Sequence, residues 1–302
     1  MRAQQPRTRQ SEVRQPASVA SRAPLAARTS GESVSAELLL ANCVERLEHY
    51  ASISAKIRQQ GEIMGIRTLG SGIYLQGNPP SGLLRVELKI RADDELTSLQ
   101  QICDGQFLWI FRKLGEESTL GRADALQVMQ ALQASPAPAE QGRAGEGSRG
   151  RPMLEIGIGG LPRMMRNIGR SFHFTQMAPL EWGSLPVYGL RGGWSPQALS
   201  HIVPEQAEAA AAGNLDWSRV PSQIPDEALL LLGRDNLFPY RIEYRRSSEH
   251  AAEGVAGGTL LVMELFDVQF NAPLERNLFR YQPGDLPVAD LTGQYIERLR
   301  GM

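Results

Sequence analysis

The chain has 302 residues, 32 Lys and Arg against 33 Asp and Glu, 42% hydrophobic and 22% charged side chains, a composition ordinary for one large domain or two small ones. A formal net charge of -1 excludes a general nucleic-acid binder, which needs a basic excess to neutralise phosphates. No stretch approaches the ~20 apolar residues that span a bilayer, and two cysteines, Cys43 and Cys103, make neither a disulfide scaffold nor a Cys-based zinc site.

Residues 1–32 carry Arg2, Arg7, Arg9, Arg14, Arg22 and Arg28 among Pro, Ser, Ala and Gln, with almost no large apolar side chain, and read as a disordered basic tail. Ala17 to Ala27 is broken by Arg22 and Pro24, so it does not read as the apolar run of an export signal. From residue 33 the chain reads as a single domain to residue 302. Ser33 and Ser35 offer helix caps, and Leu39, Leu40, Cys43, Val44, Leu47 and Tyr50 follow at helical spacing.

The period then changes from 3.6 to 2. Ile53, Ala55 and Ile57 alternate with polar residues, as do Leu69, Ile73 and Leu75, and then Leu84, Val86, Leu88 and Ile90 against Arg85, Glu87, Lys89 and Arg91. Leu99 to Cys103, an Asp104-Gly105 hairpin turn and Phe107 to Lys113 complete a five-strand meander with one apolar face. Ala123 to Leu132 reads as a helix. Residues 134–152, rich in Pro, Gly and Ala, read as a flexible insertion, because the strands before it cannot close a core alone.

Pro162, suited to a first helical position, opens a helix with Leu161, Met164, Met165 and Ile168 on one side and Arg163, Arg166, Asn167 and Arg170 on the other. Strands are expected at Phe172 to Gln176 and Pro186 to Gly192. A second insertion, residues 195–225, holds an Ala-rich helix from Glu205 to Gly213 and an irregular Trp217 to Pro225. Strands resume at Ala228 to Leu232, Tyr240 to Arg245 and Thr259 to Phe270, and Leu291 to Leu299 closes as a short helix.

Catalytic signatures do not assemble. Glu146 stands where a nucleophile elbow around Ser148 needs glycine, Pro162 interrupts the glycines at 157, 159 and 160, and there is no Walker sequence. His49, His173, His201 and His250 have neither an i, i+4 partner nor a neighbouring cysteine, so no metal site and no cofactor are expected. The chain therefore reads as a non-enzyme.

A large antiparallel sheet with few helices must have its apolar face lidded or filled. Leu84, Val86, Leu88 and Ile90, with Trp109 and Phe111, are candidates to line that face. Leu161, Met164, Met165 and Ile168 are a candidate lid whose methionines adapt to irregular apolar ligands, or else core that simply packs on the sheet. The arginines of that helix either meet anionic headgroups or form a solvated face.

Several segments resemble the LolA/LolB-like lipoprotein-localization carriers. They are Leu47-Glu48-His49-Tyr50, Ile53-Ser54-Ala55, Gly72-Ile73-Tyr74-Leu75 running into a proline turn, and Cys103-Asp104-Gly105-Gln106-Phe107-Leu108-Trp109. At the far end, Val268 to Leu274, Leu278 to Gly284 and Val288-Ala289-Asp290 resemble that family's closing strand, helical turn and ending. The resemblance implies an α+β fold, a large curved antiparallel sheet forming a half-open, incomplete barrel with helices over its concave face. It implies a periplasmic carrier of lipid or lipoprotein acyl chains, working with a membrane-bound donor or acceptor protein. Asn78 stands where carrier members have an arginine that ties the lid. The alternative is a protein-interaction or sensor module using the same sheet without lipid cargo.

Overall fold

The computed structural model describes residues 35–63, 66–77, 82–93, 95–133, 156–250 and 257–300. The basic tail, Asn78 and the 134–152 insertion lie outside the described residues. Helix α1 (Ala36–His49) opens the fold, with the Ser35 hydroxyl capping it by accepting from the Leu38 amide at 3.1 Å. Six antiparallel strands follow: β1 (Ser52–Ile63), β2 (Ile66–Gly77), β3 (Leu83–Ala92), β4 (Glu95–Asp104), β5 (Phe107–Leu114) and β6 (Glu117–Asp124). The turn between β4 and β5 is the expected one. The Asp104 carboxylate accepts from the Gln106 and Phe107 amides at 2.9 and 2.8 Å, and Gly105 takes φ +99°.

Helix α2 (Ala125–Gln133) leaves β6, and α3 (Gly160–Ser171) leads into β7 (Phe172–Trp182) at the opposite edge of the sheet. From there β8 (Leu185–Trp194), β9 (Glu227–Gly233), β10 (Pro239–Arg246) and β11 (Gly258–Phe270) return strand by strand to the centre, where β11 pairs with β1. Strand β12 (Val288–Asp290) adds in parallel to β6, and α6 (Thr292–Arg300) closes the chain. The order is β12-β6-β5-β4-β3-β2-β1-β11-β10-β9-β8-β7. Because β12 and β7 do not pair, this α+β sheet stays an open half-barrel.

On the inner face, β2 carries glycine at two positions, opposite Ile57 and Gln59. A Cβ on Gly72 would lie 1.7 Å from the Glu87 carbonyl oxygen, and one on Gly70 would lie 3.2 Å from the Gln59 Cβ. Gly72 thus lets β3 approach more closely than a side chain allows, while Gly70 leaves room for the Gln59 and Ile90 side chains beside it.

One apolar core lies on the inner face, joining Ile53, Ile57, Tyr74, Leu84, Val86, Leu88, Leu108 and Ile110 to Leu190, Leu230, Ile242 and Leu265 under α1 and α3. Between β8 and β9 the chain builds a small satellite from α4 (Pro196–Ile202), α5 (Ala207–Ala211) and two single 3-10 turns, with its own cluster of Leu199, Val203, Ala210, Val220 and Ile224. The sequence reading missed α4, which Ser195 caps and Pro196 starts. It also missed β6 and β12.

The outer face divides in two. Over β1, β10 and β11 it is a ladder of ion pairs: Lys56 with Asp267, Arg58 and Arg241 with Glu264, and Arg241 and Arg245 with the buried Glu243. Over β3 to β5 it carries the Arg85–Glu87 ion pair beside Ile102, Trp109 and Phe111 and is crossed by residues 271–287. This strap starts where Ser52 donates to the Ala272 carbonyl at 2.5 Å, and a 3-10 turn (Arg276–Phe279) buries Phe279. Arg85 donates to the Leu278 carbonyl at 2.7 Å, and Tyr281 stacks on Trp109 with 5.5 Å between centroids.

Candidate functional site: the covered inner face of the sheet

Alternation along β3 sends Leu84, Val86 and Leu88 inward, each under 5% exposed, with Ile90 half-buried beyond them on the same face. The register extends that face to Leu99, Gln101 and Cys103 on β4, then to Leu108 and Ile110 on β5, since Cys103 pairs with Leu108 and Gln101 with Ile110. It extends the other way through Gly72, Tyr74 and Gln76 on β2 to Ile53, Ala55 and Ile57 on β1.

Trp109 and Phe111 pair with Ile102 and Gln100 and therefore lie on the opposite, outer face. They do not join Leu84, Val86, Leu88 and Ile90. Trp109 is covered by the strap through Tyr281, and the Arg122 guanidinium lies 5.7 Å from its ring. Phe107 to Phe111 is apolar at every position, so period 2 carries no information on which parity faces inward; pairing with β4 decides it.

Leu161, Met164, Met165 and Ile168 of α3 are all buried in the same core as β3, with Leu161 and Met165 fully enclosed. The helix begins without a side-chain cap at Gly159, φ +83°. Its first-turn N–H group is satisfied by the sheet instead: the Leu161 amide donates to the Tyr74 hydroxyl at 2.9 Å. That hydroxyl donates to the Gln76 amide oxygen, and the Gln76 nitrogen reaches the Leu47 carbonyl of α1 at 3.4 Å. Tyr74 thus ties sheet, α1 and α3 at one point. Burial pushes its phenol pKa up, and the bond from Leu161 only partly opposes this. On the outer side, Arg166 of α3 pairs with Glu48 of α1, so at least one helix arginine is engaged within the protein.

Both cysteines face this interior and are free thiols. Burial pushes Cys103 up to about 11 and Cys43 still further, so neither is a ready thiolate.

Three candidate catalytic residue types do meet elsewhere, beside the satellite. His250 Nδ1 lies 2.7 Å from Asp226 Oδ2, and the Ser247 hydroxyl donates to the same oxygen at 2.5 Å. Serine and imidazole both address the carboxylate rather than each other, so the histidine is not placed to take the serine proton. Arg246 closes this cluster by donating to the Ile224, Trp217 and Val220 carbonyls at 2.8, 2.9 and 3.2 Å, which holds the satellite to the end of β10. The other histidines are apart: His49 and His201 bond carbonyls of their own helices, and His173 lies 3.9 Å from Glu37. Among the described residues no group of three or more His, Cys, Asp or Glu side chains could hold a metal ion, and no helix is long and apolar enough to cross a membrane.

The arrangement defines a class, an open antiparallel half-barrel whose concave apolar face is covered by two of its own helices. No protein-family model matches the chain, and no curated protein matches it. Solved structures similar to it include the Mycobacterium tuberculosis lipoprotein LppX, at 11% identity and a TM-score of 0.37 over 80% of this chain and 99% of that one. A LolA superfamily protein from Nitrosomonas europaea is similar at 11% identity and a TM-score of 0.29, over 82% of this chain and 99% of that one. LprF from Mycobacterium bovis is similar at 9% identity and a TM-score of 0.27, over 79% and 94%.

Proposed function

We propose that the protein is a non-catalytic carrier or binder of a hydrophobic ligand, lipoprotein acyl chains or another lipid, taken up between the inner face of the sheet and α3. Leu84, Val86, Leu88 and Ile90 form the floor, and Leu161, Met164, Met165 and Ile168 form the lid. One observation carries this reading: an amphipathic helix with two buried methionines covers an apolar sheet face and bonds to that face in its first turn through the Tyr74 hydroxyl. Lifting four such side chains costs about 6–12 kcal/mol of apolar burial. A sixteen-carbon acyl chain regains roughly 11 kcal/mol at ~0.8 kcal/mol per methylene. Exchange of lid for ligand is therefore near balance, which a carrier that must also release its cargo requires. The resemblance to the LolA/LolB-like carriers supports a periplasmic setting and a membrane-bound donor or acceptor protein as partner.

The test is native mass spectrometry with lipid extraction on protein purified without detergent from its own source, followed by titration with a fluorescent fatty-acid probe. A co-purifying acyl species, and loss of probe uptake in a still-folded Val86→Asp variant, support the carrier reading. The complete enclosure of Leu161 and Met165 favours a second reading, a partner-binding module whose interior stays filled. A clean apo mass with no probe uptake decides for it.

A further inference from the structure

Nine polar or charged residues are buried in the described structure, and eight of them hold hydrogen-bond or electrostatic partners. The exception is Gln59 of β1, 8% exposed, whose amide has no hydrogen-bond partner among the described residues. Tyr244 of β10, 4% exposed, presents a second such group, for no residue among those described accepts from or donates to its hydroxyl. Neither group is sealed in by packed atoms, because the buried side-chain polar atoms that lack a partner do not include theirs. Each polar atom therefore keeps a trace of solvent contact, although Tyr244 packs against Phe172 and Met263 between the two is 1% exposed. A donor with so little solvent and no protein partner calls for an explanation.

The two lie on the same face. Gln59 follows Ile57 on the inner side of β1 and pairs with Gly70 and Met263, while Tyr244 pairs with Leu261, itself opposite Gly61. Only β11 separates their strands, so their backbones stand about 12 Å apart, two strand spacings across and two residues along. Met263 and Leu261 form the apolar floor between them. Gly61 and Gly70, at the neighbouring inner positions, add no side chain over it. An apolar floor with a primary amide and a phenol at its margins matches a ligand that is hydrocarbon along most of its length and carries hydrogen-bond acceptors at one place. Both groups can donate. The phenol stays protonated, because burial pushes its pKa up and no hydrogen bond opposes the shift.

We propose that Gln59 and Tyr244 recognise the ester carbonyl groups of an acylated lipid lying on this floor, an assignment that rests on the carrier reading and names its ligand class. The experiment uses the full chain and two displacing ligands, dipalmitoylglycerol and its ether analogue dihexadecylglycerol, which differ only in the two carbonyls. The wild type should bind the ester form about 25- to 100-fold more tightly, two net hydrogen bonds of about five- to tenfold each. Gln59→Leu and Tyr244→Phe should each lose about five- to tenfold for the ester and nothing for the ether, the size of one net hydrogen bond. Both variants should resist denaturant as well as the wild type or better, since each removes a polar group that the free protein leaves unpaired. Equal wild-type binding of ester and ether, equal losses for both ligands, or a lowered unfolding midpoint in both variants would overturn this assignment alone. Failure of the wild type to bind either ligand would overturn the carrier reading and this assignment with it.

Discussion

Replacing Tyr74 by Phe removes one oxygen atom and leaves the ring in place, which isolates the connection between α3 and the sheet. In the wild type that oxygen accepts from the Leu161 amide at 2.9 Å and donates to Gln76, and all three residues are at least nine-tenths buried. Without it the Leu161 N–H and the Gln76 amide oxygen both lose their partner, each at about 1–3 kcal/mol. Gln76 retains its bond to the Leu47 carbonyl and has some freedom to turn, so the expected loss is about 2–4 kcal/mol, or roughly 5–15 °C in Tm for a domain of this size. The assay pairs thermal unfolding with stopped-flow uptake of the fatty-acid probe. Stability should fall while the uptake rate rises, because the start of α3 is released while its apolar face is intact. A Tm within about 1 °C of the wild type would refute the reasoning, showing that the start of the helix is held by packing alone.

Gly160→Ala should destabilise by more than about 1 kcal/mol, since φ is +57° and a Cβ would lie 2.7 Å from the Tyr74 hydroxyl; combined with Tyr74→Phe the losses should be less than additive in a double-mutant cycle. Met165→Asp should abolish probe uptake in whatever fraction folds, whereas Trp109→Ala, on the outer face, should leave uptake unchanged while lowering Tm; matching losses of uptake in both would break the assignment of faces. Burial raises the Glu243 pKa, but hydrogen bonds from Arg245 and Arg241 outweigh it and the net shift is downward from 4.5. A depressed carboxylate stabilises the fold above its unfolded pKa and loses that contribution as pH falls through the folded one. Acid unfolding scans below pH 4.5 should therefore show a steeper loss for the wild type than for Glu243→Gln. Cys103, with its thiol raised to about 11, should resist thiol reagents at pH 8 in the free protein and react faster in Tyr74→Phe.

The strands whose alternation is strict were legible. Leu84, Val86, Leu88 and Ile90 against four charged residues leave a single parity for the core, and the structure places them accordingly. The buried stripe on α3 was legible for the same reason, through Pro162 and a helical apolar spacing. Trp109 and Phe111 were misplaced because their strand is apolar at every position and only its pairing with β4 selects a face. Strand β6 was hidden because Glu117 to Asp124 holds one large apolar residue, Leu120, and gains its order from the β5 ladder rather than from its own pattern. The Tyr74 connection was not readable either. It joins residues from β2, α1 and α3, and no local spacing announces a hydroxyl that serves as a helix cap from another element.

The pairing of β1 with β11 has a consequence for how the molecule is made. Ile53 and Phe270 are partners across the centre of the sheet, yet nine strands' worth of chain, from β2 to β10, is synthesised between β1 and β11. Until β11 emerges, the nascent β1–β6 meander keeps a long unpaired strand margin, and contacts this remote in sequence form slowly. That interval is when the chain is open to edge-to-edge association with other unfinished copies. A premature stop before Phe270 would thus do more than remove the outer strap, for it would leave that margin without the partner that ends its exposure.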